Sequence, residues 1–115
     1  MTKDVQGLVP ETPPARALCA AELVTYQGAA VVSRTLLKKP TGTVTLFAFA
    51  RGEGLSEHTA PFDALVHVLE GEVEITIAGE LVHAKSGDLV LMPAHIPHAL
   101  MARTDFKMLL TMIRS

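Results

Sequence analysis

From Val31 onward the chain alternates short apolar stretches with turn formers. Val73-Glu74-Ile75-Thr76-Ile77 alternates apolar and polar at every step, as a strand with one buried face requires. Thr43 to Ala50 and Leu89 to Met92 are apolar runs rich in strand-favouring residue types. Breaks fall at Gln27-Gly28, Pro40-Thr41-Gly42, Gly52-Glu53-Gly54, Glu70-Gly71, Ala78-Gly79-Glu80 and Ser86-Gly87-Asp88. Turn signals spaced about ten residues apart predict an all-β sandwich or barrel. Only Ala15 to Val24 has helix-forming composition without a breaker, so at most one or two helical turns are expected near the N-terminus. Many short strands must hide their edges, which favours an antiparallel jelly-roll β-barrel. No repeat of fixed period is visible, which argues against a solenoid or propeller.

Composition narrows the function classes. A chain of 115 residues suits one domain with a real core; it divides into an N-terminal arm, 1–16, and a barrel, 17–115. The formal charge of -2 and 49% hydrophobic content exclude a disordered chain and a strongly basic nucleic-acid binder. No run reaches the roughly 18 apolar residues of a membrane span, and Met1 to Arg16 has no apolar segment of the secretory kind. Neither nucleic acid nor membrane is an expected partner. The single cysteine, Cys19, cannot form an intrachain disulfide, so a reducing, cytoplasmic setting is expected, with Cys19 as a small apolar packer. Met92, Met101, Met108 and Met112 are expected to fill the core. Lys38-Lys39 and Glu70-Gly71-Glu72 read as solvated edge and turn charges.

Two segments carry candidate chemistry. One runs from Gly52 through His58, Ala60, Asp63 and Ala64 to Gly71; the other runs from Gly87 through Pro93 and His95 to His98. Together they resemble the two conserved motifs of the cupin superfamily. Gly52, His58 and Gly71 match the spacing of the first motif, and Gly87, Pro93 and His98 match the second. The resemblance spans about Thr43 to Ala102, and it implies a β-barrel that holds a metal between its motif side chains. Strand periodicity adds its own argument: positions 58 and 60 share one face, and a strand from the second segment can bring His98 opposite them. Neutral imidazole suits zinc, iron, manganese, nickel or copper.

The sequence departs from the family pattern at two ligand positions, where Ala60 and Ala64 stand. Two imidazoles fall short of the three protein ligands of a catalytic zinc site and of the two-histidine, one-carboxylate set of non-haem iron. Asp63 is the nearest carboxylate able to add a third donor. Two readings therefore stay open. One is a binding module that takes a small molecule between His58 and His98, with or without a divalent transition metal. The other is a metal-dependent enzyme, of dioxygenase or isomerase type, for a small oxygenated substrate. Either way the pocket is expected to be apolar, lined by Ala60, Ala64, Val66, Val68, Leu100 and Ala102. His67 has outward parity, His95 falls in a loop at the rim, and His83 is expected half-exposed on a strand. The resemblance also implies a homodimer, for which Val24, Val31, Val32, Leu36 and Leu37 offer apolar surface.

Overall fold

Alternation along each strand sorts side chains between two faces, and the computed structural model, which describes residues 12–114, shows where those faces lie. The described residues form β1 (Val31–Lys39), β2 (Gly42–Phe49), β3 (Gly54–His58), β4 (Asp63–Glu70), β5 (Glu72–Ile77), β6 (Glu80–Lys85), β7 (Leu89–Met92), β8 (His98–Ala102) and β9 (Phe106–Ile113). They pair antiparallel in a five-stranded sheet, β1-β2-β9-β4-β7, and a four-stranded sheet, β3-β8-β5-β6. This is the expected jelly roll. The helix expected within Ala15 to Val24 is a single 3-10 turn, Ala20–Glu22. Most of the N-terminal arm lies outside the described residues.

The two sheets face each other across one core. Ala64, Val66 and Val68 of β4 meet Val73 and Ile75 of β5 and Leu100 and Ala102 of β8, around Phe49, Phe106 and Met108. The Phe49 and Phe106 rings lie 5.0 Å apart. Each large side chain buried here stabilises the fold by about 1.5–3 kcal/mol. Gly71 is in the left-handed region at φ 81°, and a Cβ there would sit 2.1 Å from the Asp105 carbonyl oxygen. Only glycine satisfies both demands.

A second apolar cluster covers part of the outer face of the five-stranded sheet. Val24, Leu46 and Ala48 are buried there, with Leu23, Val32 and Leu36 packed against them. Polar groups pin this N-terminal strap. The Tyr26 hydroxyl donates to Glu70 Oε2 at 2.6 Å, and Lys107 Nζ donates to the Ala21 carbonyl at 2.6 Å while lying 3.8 Å from the same Glu70 oxygen. Burial first, then the hydrogen bond to Glu70, pushes the Tyr26 phenol well above its ordinary value.

Several expectations are corrected. Glu70 is part of this clasp rather than a solvated turn charge, because Tyr26 and Lys107 close over it. Cys19 is exposed instead of packed, since the turn that follows it contributes Ala20 and Leu23 to the cluster. Met101 is 46% exposed, because its neighbours Leu100 and Ala102 take the inner face of β8. Of the residues expected to offer a dimer surface, Val24 is buried and Val31, Val32 and Leu36 are partly buried, leaving Leu37 exposed.

Candidate functional site

His58 and His98 are cross-strand partners at one end of the four-stranded sheet. A β-bulge makes this possible. Between Leu55↔Leu100 and His58↔His98 the register gains one residue on β3. Strict alternation from inward-facing Leu55 would turn His58 outward; the extra residue in Ser56-Glu57 restores it to the face of Leu100 and Ala102. Bulges that re-aim a side chain are frequent beside functional sites. The ring centroids are 4.4 Å apart in an edge-to-face arrangement. His98 is 5% exposed, whereas His58 stands exposed at the rim.

The rings are held alike. His58 Nδ1 lies 2.8 Å from the Ser56 carbonyl oxygen, and His98 Nδ1 lies 3.0 Å from that of Ile96, two residues earlier in each case. A carbonyl only accepts, so each Nδ1 carries the proton and donates it. The neutral rings then present Nε2 as a lone-pair acceptor, the state set by the hydrogen bond on the other nitrogen.

Antiparallel topology gathers the rest of the mouth at this end. In the four-stranded sheet the row runs His58↔His98↔Ile77. In the facing sheet the row runs Thr43↔Met112↔Ala64↔Met92. Segments 59–62 and 93–97 bridge the two sheets here, joined where the His95 N–H donates to the Ala60 carbonyl at 2.8 Å. The wall is thus thioether and methyl groups. Thr43 adds one buried hydroxyl, whose Oγ1 has no hydrogen-bond partner among the described residues.

Not every residue singled out from the sequence meets the pair. Ala60 and Ala64 stand at the mouth. Leu100 is one inward position below His98, while Val66, Val68 and Ala102 are packed deeper, in the core; they form a floor rather than walls. Asp63 is placed elsewhere: its parity is opposite to that of Ala64, and its Oδ1 accepts the Ala94 N–H at 2.9 Å, bracing the 93–97 segment. His67 is half-buried on the outer face. His83 is exposed, its Nε2 3.0 Å from Glu72. His95 is exposed, with its backbone in the left-handed region at φ 66°, which residues other than glycine adopt uncommonly. Sequence reading missed Ile77, Met92, Met112 and Thr43 as mouth residues. Thr43 had a signal: it shares parity with inward Phe47 and Phe49 in an otherwise apolar strand.

The donor set can be tested against the metal that the resemblance implies. Among the described residues no group of three or more His, Cys, Asp or Glu is placed to hold a metal ion. Two imidazoles supply only two of the three protein donors that a zinc or non-haem iron centre uses. The described residues do not fit a resident metal.

Comparison with known proteins identifies relatives. The Cupin domain family matches residues 45–114. A conserved protein of unknown function from Streptococcus pyogenes is 32% identical, with a TM-score of 0.88, covering 97% of this chain and 98% of that one. A cupin superfamily protein from Desulfitobacterium hafniense is 30% identical, with a TM-score of 0.87, covering 95% and 100%. A cupin 2 conserved barrel domain protein from Leptotrichia buccalis is 44% identical, with a TM-score of 0.79, over 82% of this chain and 46% of its own length. No curated protein matches.

Proposed function

The chain belongs to the cupin family, and from that premise we propose that it is a binding module holding a small, mostly apolar molecule directly between His58 and His98. The observation that carries this reading is the shared anchoring of both rings through Nδ1, which leaves Nε2 as the free acceptor on each of two imidazoles whose centroids are 4.4 Å apart. Lone pairs so arranged select a ligand with a hydrogen-bond-donating head, such as a hydroxyl. Ala60, Ala64, Met92 and Met112 offer methyl and thioether contact to its body, and a small apolar enclosure with few polar groups is the usual form of such a site. The alanines widen the space that family ligands would otherwise fill. No step passes through a metal.

The test is titration calorimetry of EDTA-treated protein against phenols and small alcohols, repeated with His58→Ala and His98→Ala. Loss of one hydrogen bond of about 1.5 kcal/mol corresponds to roughly tenfold in affinity, so each variant should bind the best compound at least about tenfold more weakly. Binding that returns only with added metal, or that ignores both substitutions, contradicts the reading. Elemental analysis should find transition metal well below one equivalent.

A further inference from the structure

Pairing along β9 does not stop at Ile113. The Arg114 N–H donates to the Thr41 carbonyl at 2.8 Å, which carries the antiparallel ladder one residue past the Gly42↔Ile113 pair. Alternation then gives Arg114 the inward parity of Met112, and a step of two residues sets its backbone about 6.6 Å beyond the level of Met112, at the rim of the mouth. The side chain agrees with that placement. Its guanidinium carbon lies 4.7 Å from the centroid of the Phe62 ring, and Phe62 belongs to the segment 59–62 that bridges the two sheets there. The ring is half-buried and the arginine exposed. A guanidinium held against an aromatic ring by cation–π attraction keeps N–H donors free, and their fork matches the two oxygens of a carboxylate.

The ion pairs of the described residues lie elsewhere, at His83–Glu72, Arg103–Glu74 and Lys107–Glu70. Of the acids at this end, Asp63 is turned outward onto the Ala94 N–H, Glu57 lies in the β3 bulge, and Glu80 lies on β6, the edge strand farthest from β3. Lys38, the cross-strand partner of Thr43, adds a second cation toward the β1 edge. We propose that Arg114 is the anion-binding position of this mouth, so that the molecule taken between His58 and His98 is a small hydroxylated carboxylate. Its hydroxyl donates to the imidazole pair, its apolar body lies against Met112, and its carboxylate accepts from the guanidinium. An ionised carboxylate only accepts, so it cannot replace the hydroxyl at the Nε2 lone pairs; imidazoles and guanidinium together fix which way round the ligand lies. The assignment rests on the binding function proposed above and adds the class of ligand.

Titration calorimetry of the EDTA-treated full chain compares 4-hydroxybenzoate with 4-hydroxybenzamide, its neutral isostere. The acid should bind at least about tenfold more tightly, as a charge-assisted hydrogen bond provides, and that preference should shrink as ionic strength is raised toward about 1 M. Arg114→Gln, at an exposed position, should abolish the preference while leaving the affinity for the amide within about twofold; its melting temperature checks that it is folded. His58→Ala and His98→Ala should weaken both compounds alike. Equal binding of the two compounds by the wild type, or a preference that survives Arg114→Gln, overturns the anion position, and histidine-dependent binding of the amide would then leave the binding function standing. If neither compound binds, or both ignore the histidine substitutions, the binding function itself fails and the ligand class falls with it.

Discussion

His58 and His98 were legible in the sequence because motif spacing fixes their strand positions; parity gives the face of His98, whereas His58 reaches that face only through the bulge in β3. The identity of a third donor was not. Whether Asp63 turns inward depends on where β4 begins, and the structure starts the strand so that Asp63 braces Ala94 N–H. Thr43 was hidden for a different reason: a threonine in a strand is ordinary, and only the packed structure shows that its hydroxyl is buried without a partner among the described residues. An unpaired buried hydroxyl costs about 1–3 kcal/mol, while an apolar group of the same shape does not carry that cost. Thr43→Val should therefore raise the thermal midpoint of the unliganded protein by a few degrees, about 1 kcal/mol. Differential scanning calorimetry measures this, and a lowered midpoint would mean that the hydroxyl is paired in solution.

At the level of elements, the turn signals and alternation located the strands well, since both are local. Two features escaped because they are not local. The bulge at Ser56-Glu57 exists only relative to β8, and the strap over the outer sheet is held by Tyr26 and Glu70, which are 44 positions apart. The clasp makes a pH prediction. A phenol whose folded pKa is raised contributes stability that is fully present below its unfolded value of about 10 and is lost as pH rises above it toward the folded value. Urea unfolding should thus show stability falling above about pH 10 in the wild type. Tyr26→Phe should flatten that fall and lower neutral-pH stability by about 1 kcal/mol, the worth of one hydrogen bond. An unchanged alkaline slope in the variant would show that Tyr26 is not the group responsible.

At the scale of the molecule, the nine strands of the described residues bring side chains from distant parts of the chain to one end of two facing sheets. The fold class was readable because burial alternates with the pleat; the filled interior was less so, because packing density depends on Phe49, Phe106 and Met108 meeting Val66 and Val68 across the sheets. What the barrel delivers is a pair of imidazoles in one tautomeric state. Long-range proton–nitrogen correlation NMR of imidazole-labelled protein reads that state directly. Both rings are predicted to carry the proton on Nδ1 in their neutral form, and both Nε2 resonances should move together when a binding phenol is added. A neutral ring protonated at Nε2, or a ligand that shifts one ring and leaves the other unchanged, would contradict a shared site.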